Sequence, residues 1–358
     1  MQLLNDTPFA VATMPWEDLE GRAKLTVIVK GTFAIEPRAE ASIASVQLPI
    51  VLADENYSKD PICSVRFESD MSPFKPKADI VLVGKAYAPE GGPVKWLDVS
   101  LAVRRLRKTI RVFGDRKWWF PTRLALVPVK SRPKPFVTMD LVYDRAFGGV
   151  YEGPGFYCRE NLVGTGYIEK KRKVSIHSKR LPNLEDPNAL IRSWRSKPKP
   201  AGFGFYGRGW MPRAKYAGTY DERYRRERAP ALPRDFSYAF YNGAHPDLQV
   251  EGYLNGDEEV ELVNLSPEPR LRFRLPGVRP KLTVSKWVVL PEEWIEQNAT
   301  EDREVSINDV PTKDEYLSPV LDTLVFIPEE GIFYEVFRAV CPLTSLDRLE
   351  VARVTVTM

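Results

Sequence analysis

Between Thr138 and Pro246 the chain is punctuated so densely by Gly, Pro, Asn and Asp that no helix or long strand can run through most of it. Glycine opens backbone angles that other residues avoid, while proline removes an amide donor and fixes φ. The stretch begins with Asp144-Arg145-Ala146-Phe147-Gly148-Gly149 and continues with Asn161-Leu162-Val163-Gly164-Thr165-Gly166. Leu181-Pro182-Asn183-Leu184-Glu185 and Gly218-Thr219-Tyr220-Asp221 follow, before Asp235-Phe236. An irregular stretch this long is either functional or disordered. Its aromatics, among them Phe147, Tyr151, Phe203, Phe205, Tyr206, Trp210 and Tyr220, argue for order, because disordered segments are poor in them. Residues 136–246 therefore read as an ordered, irregular platform.

Strand signals lie on both sides of it. Lys24–Ile35 is rich in β-branched residues, and Asp79–Tyr87 reads as a second strand. Leu97–Val103 alternates on one face and is followed by Thr109–Phe113, so residues 1–135 read as an antiparallel meander. Beyond the platform, Asn255-Gly256 predicts a hairpin between 247–254 and 258–264, since Asn-Gly suits a type I′ turn. Leu271–Leu275, Lys281–Leu290 and Leu349–Thr357 are further strands, and Pro291 with Glu292 and Glu293 starts a short helix. Leu321–Ile327 and Ile332–Val340 predict a second hairpin through Pro328–Gly331. The predicted fold is mainly β. Antiparallel, sandwich-like sheets at 1–135 and 247–358 hold the platform between them, with few short helices, in one or two compact domains.

Charge is unevenly placed in this chain of net charge +4. From Glu169 to Arg228 there are 17 Lys/Arg against 6 Asp/Glu, and from Lys286 to Met358 there are 6 against 15. That asymmetry can steer a charged partner to one face. Cys63, Cys158 and Cys341 are scattered and odd in number, which reads as reduced thiols of a cytosolic protein. The first residues lack the basic-then-apolar pattern of a signal peptide, and no apolar run approaches the ~18 residues needed to span a bilayer. The expectation is a cytoplasmic protein with no membrane partner.

Sites of chemistry are weakly signalled. Gly202-Phe203-Gly204-Phe205-Tyr206-Gly207 matches GxGxxG but lacks the strand before and the helix after that dinucleotide binding needs, so it reads as an aromatic turn. Cys158 and His177, oriented by Asp140, Asp144 or Asp186, are the candidates for a nucleophile pair, though a buried inert cysteine is the commoner case. Glu185 with Asp186, and Asp221 with Glu222, are the candidates for acid–base work, though Asp before proline or at a turn is more often structural. With His177 and His245 alone there is no metal-ligand spacing, and no cofactor is expected. Asp144 with Arg145 reads as an ion pair that locks its loop, ahead of the alternative of a partner contact. Trp118-Trp119-Phe120-Pro121 among cations reads as a core edge rather than a base-stacking platform. The partner-binding candidates are Trp210, placed by Gly209 and Pro212 in an exposed kind of turn, with Arg213, Tyr220, Asp221, Arg223, Arg225, Arg226 and Arg228. Asp144, Arg145, Phe147, Gly148, Gly149, Asn161, Gly164, Gly166, Gly218 and Thr219 are the structural motif residues.

These motifs, with Leu232-Pro233-Arg234-Asp235-Phe236 and Leu321–Ile327, resemble in order the family called domain of unknown function 2169 over most of the chain. The resemblance implies an adaptor or chaperone encoded with type VI secretion components of Gram-negative bacteria. Such a protein would load a secreted effector, often one with a PAAR spike-tip domain, onto the VgrG spike, and the family assigns no catalytic residues. The alternatives are an enzyme of hydrolytic chemistry and a polyanion or nucleic-acid binder working through the basic middle. Lysines and arginines without a base-reading element give phosphate contacts only, so no specific nucleic acid is expected.

Overall fold

The twelve-residue strand Ala23–Ala34 is the spine of the largest sheet. Its run Thr26-Val27-Ile28-Val29 suits a pleated surface, and burial on both faces explains why its alternation is only partial. In the computed structural model, which describes residues 1–59, 63–151, 155–169, 176–289, 291–299, 309–346 and 350–358, this strand pairs antiparallel with Ala10–Glu17 and Ile332–Pro342. Val320–Ile327 continues the sheet antiparallel to Ile332–Pro342, Ala78–Leu82 lies parallel to Val320–Ile327, and Gln249–Val250 closes the far edge. The sheet thus draws strands from both ends of the chain into one layer.

A second sheet is antiparallel throughout, in the order Leu184–Glu185, Leu106–Phe113, Trp96–Val103, Glu259–Val263, Arg270–Arg274. Phe273 of this sheet packs on Phe326 and Phe333 of the first, at ring separations of 5.9 and 5.6 Å. The two sheets share one core, which gives the sandwich. A four-stranded sheet made of Gln2–Asn5, Val351–Thr357, Lys281–Trp287 and Thr312–Leu317 adds Leu282, Val284, Val354 and Val356 to that core.

Strand alternation turns Lys30, Asp79 and Arg338 to the opposite face of the large sheet, which is covered by irregular chain. There Lys30 pairs with Asp70 at 2.9 Å, Lys75 with Asp79 at 2.8 Å, and Arg338 with Asp322, all buried. Asp79 also accepts hydrogen bonds from the amides of Gly243 (2.8 Å) and Ala244 (3.1 Å), which ties the end of the platform to the sheet. Removing one member of such a pair leaves an uncompensated buried charge.

The fold is mostly β with short helices, as the sequence predicts, and Pro291–Asn298 is helical. The hairpin Val320–Ile327/Ile332–Pro342 forms, with Gly331 left-handed after Pro328–Glu330. Three expectations are corrected. Asp79–Tyr87 is two strands, Ala78–Leu82 and Lys85–Tyr87, and the second pairs with Thr138–Asp140 outside the large sheet. The meander reduces to the hairpin Trp96–Val103/Leu106–Phe113, because Ala23–Ala34 belongs to the other layer. Asn255-Gly256 closes no hairpin: both amides are captured by the Glu258 carboxylate (2.7 and 2.9 Å), and the flanking strands enter different sheets. Leu290 and Leu349, predicted strand ends, and residues 170–175 of the basic segment lie outside the described residues. Among the described residues no helix is long and apolar enough to cross a membrane.

Candidate functional site

The motifs of the platform meet in one knot. Phe147-Gly148 pairs in parallel with Thr165-Gly166, and Ala146 bridges to Leu184. Buried Asn161 donates through Nδ2 to the carbonyls of Tyr143 (2.8 Å) and Phe147 (3.1 Å). Gly148 and Gly149 have φ of 155° and 97°, and a Cβ on either would collide with the carbonyl of Asn161 or of Gly164. Phe147 fills a small second core with Trp118, Tyr151, Cys158 and Leu181. Gly218 and Thr219 close a separate turn, in which Thr219 donates from N (3.0 Å) and Oγ1 (2.7 Å) to Asp235. Those bonds hold the Asp235 carboxyl below its usual range.

Asp144 and Arg145 lock this knot, but not to each other. The Asp144 carboxylate accepts from Ser64 N (3.2 Å) and Oγ (2.5 Å), while Arg145 reaches Asn183 Oδ1 (3.3 Å) and Asp115 (3.9 Å). Adjacent residues on a short 3₁₀ turn point apart, so the expected internal ion pair becomes two tethers to different segments.

The knot forms one wall of a cleft of about 960 Å³, whose other wall includes Lys117, Ser131, Arg132 and Lys134. Beneath it, buried Arg116 donates to Glu185 (2.5 Å) and to the Pro182 carbonyl (2.7 Å), with its guanidinium 3.7 Å from the Phe113 ring centroid. Burial pulls the Arg116 pKa down against the pull of Glu185, and its Nε has no hydrogen-bond partner among the described residues. Six cations (Arg116, Lys117, Arg132, Lys134, Arg145, Arg180) line the cleft against three carboxylates (Asp115, Asp140, Asp144).

Out of the same wall grows a small hairpin. Trp118-Trp119 pairs with Val129-Lys130, and the Lys117 amide donates to Ser131 Oγ at 3.0 Å. Trp118 is buried and Trp119 faces outward, so the predicted core edge is half right. In the connecting loop Leu124, Leu126 and Val127 are 89%, 72% and 70% exposed. Single exposed apolar residues are ordinary, and here three fall within four positions of one loop. Periodicity did not reveal this loop, because Leu124-Ala125-Leu126-Val127 resembles any short apolar strand; the signal was Pro121, Pro128 and Pro133 bracketing it.

The residues predicted to bind a partner separate into two groups. Trp210 is buried, edge-on to Tyr143 and Tyr206 at 5.3 Å from each, and Gly207 leaves the space its ring fills. The expectation of an exposed turn is therefore corrected, and the same packing against Tyr143 fills the space at Gly202 of the GxGxxG stretch. Arg213 is buried too, bonded to Glu68 and to the carbonyls of Tyr206 and Phe240 at 2.7 Å. Arg228 spends its guanidinium on the carbonyls of Leu19 and Leu232. All three hold the fold. Tyr220, Arg223, Arg225 and Arg226 remain exposed on or beside the short helix Glu222–Glu227, which Asp221 caps by accepting from Tyr224 N at 2.8 Å.

The enzyme candidates are not brought together. Cys158 is buried with its sulfur 3.5 Å from Glu160, and burial pushes its thiol up to about 11. His177 is exposed and stacks on Phe120, with no hydrogen bond to Cys158. Glu185 is consumed by Arg116 and the Ile191 amide, and Asp186 by the Asn188 amide of its own turn. Among the described residues no three His, Cys, Asp or Glu side chains are grouped to hold a metal ion.

Fold and cleft define a class: a β-sandwich protein with a loop-rich platform, a basic cleft against that platform and an exposed apolar hairpin loop beside it. Within that class, the chain belongs to the family described as "Uncharacterized protein conserved in bacteria (DUF2169)", which matches residues 20–338. No curated protein and no solved structure matches the chain.

Proposed function

We propose that this protein is a non-enzymatic, cytoplasmic adaptor that binds another protein, and that its cargo is a secreted effector of a type VI secretion system, PAAR-containing, delivered to the VgrG spike. The observation that carries the reading is the hairpin Trp118–Lys130, which holds Leu124, Leu126 and Val127 in water beside a cation-lined cleft. Apolar side chains so exposed are stabilised when a partner covers them. The burial of Cys158 and the engagement of Glu185 and Asp186 in the fold favour binding over hydrolysis. The resemblance of the motif set to domain of unknown function 2169 supplies the secretion context.

Co-expression with a PAAR-containing effector and a VgrG encoded in the same gene cluster tests the proposal. The expected result is a stoichiometric complex with the effector on size exclusion, and loss of effector export when the adaptor gene is deleted. Normal export in the deletion strain contradicts it.

A further inference from the structure

The hairpin Trp118–Lys130 joins two unlike surfaces. Its tip is apolar, with Leu124, Leu126 and Val127 outward. Its base turns into the cleft, which Lys117, Arg132 and Lys134 line together with Arg145 and Arg180, the last bridged to Lys117 through the backbone. A loop of nine residues that returns to its start reaches at most about 15 Å from its ladder. An extended segment of about ten residues therefore spans tip and base together.

We propose that the hairpin and the cleft at its base dock one extended segment of a partner polypeptide, acidic where it enters the cleft and apolar where it lies along the tip. The charge of the occupant follows from the lining: with Arg116 neutralised by Glu185, the cations Lys117, Arg132, Lys134, Arg145 and Arg180 still exceed the carboxylates Asp115, Asp140 and Asp144. Arg132, Arg145 and Arg180 supply the guanidinium groups of the lining. Guanidinium forks match carboxylates in geometry as well as charge. A linear polyanion would use the cations and leave the apolar tip in water. A membrane surface would use the tip, but the cations sit in a concavity that a flat headgroup layer does not enter. A mixed acidic and apolar segment satisfies both halves. This inference rests on the reading that the chain binds a protein.

The test is fluorescence anisotropy with a labelled synthetic peptide of about twelve residues, its first half Asp and Glu, its second half carrying three Leu among Ser and Gly. Two controls replace the acids by Asn and Gln, or the Leu by Ser. The acidic–apolar peptide is expected to bind at least tenfold more tightly than either control. The double variants Arg132→Glu/Lys134→Glu and Leu124→Ser/Leu126→Ser should each weaken it at least tenfold while melting temperatures hold, because these side chains are exposed. The proposal is overturned by no binding of the acidic–apolar peptide, by equal binding of a control, or by indifference to either double variant. Tighter capture of heparin, or of phosphatidylglycerol vesicles, with the same sensitivity to the variants also overturns it. If wild type and both variants capture the co-encoded effector equally, the adaptor reading survives and this docking site does not. If the peptide binds and the effector is never captured, the docking site survives and the adaptor reading does not.

Discussion

Arg116 and Glu185, 69 residues apart in the chain, meet at 2.5 Å under the floor of the cleft. The pair fastens the hairpin's first strand to the motif knot, since Arg116 directly precedes Lys117-Trp118 and Glu185 ends Leu181-Pro182-Asn183-Leu184-Glu185. Both side chains are almost wholly buried, so neither charge is screened by water. Replacing Glu185 by Gln leaves Arg116 charged and unpaired, which costs about 3–5 kcal/mol. The expected urea midpoint falls sharply for Glu185→Gln and recovers in large part in Arg116→Met/Glu185→Leu. An unchanged midpoint in the single variant contradicts the tether.

Trp210 sits in a three-ring cluster with Tyr143 and Tyr206. Trp210→Ala removes the largest ring of the cluster and leaves a cavity, at a cost of about 3–5 kcal/mol. The expected result is a lower melting temperature, with partner affinity unchanged wherever the variant is still folded. Loss of partner binding at an unchanged melting temperature would restore Trp210 to the docking surface.

Glu335 lies wholly buried in the sandwich interior, paired across from Gly31, and neither carboxyl oxygen has a hydrogen-bond partner among the described residues. Burial, with the nearby Glu258 carboxylate, raises its pKa well above the ordinary 4.5. The folded chain therefore keeps this proton at pH values where the unfolded chain has released it. Stability is full below pH 4.5 and falls as pH rises from there toward the folded pKa, by up to ~1.4 kcal/mol per unit. Glu335→Gln removes this dependence, so its melting temperature should exceed that of wild type by more at pH 8 than at pH 5. An equal difference at both pH values would show that Glu335 is ionised in the fold.

Legibility in the sequence followed the range of the interactions. Ala23–Ala34 and the hairpin around Pro328–Gly331 were readable because local propensity and turn chemistry agree with the final pairing. Asn255-Gly256 misled because a long-range choice of sheet, backed by the Glu258 carboxylate, outweighed a local turn preference. The motif residues were recognisable as structural from their glycines, yet not the fact that they build a cleft wall, which depends on the return of Lys117 and Lys134 from outside the platform. Trp210 and Arg213 look identical in sequence to interface anchors, since a buried aromatic and a buried arginine use the same chemistry inward.

Hydrogen–deuterium exchange of the protein alone and in complex with its captured effector tests the docking surface most directly. Protection on binding is expected in residues 117–134 and around Arg145 and Arg180, with little change at residues 205–213. Protection confined to Tyr220–Arg228, with the hairpin exchanging as freely as in the unbound protein, would contradict the account.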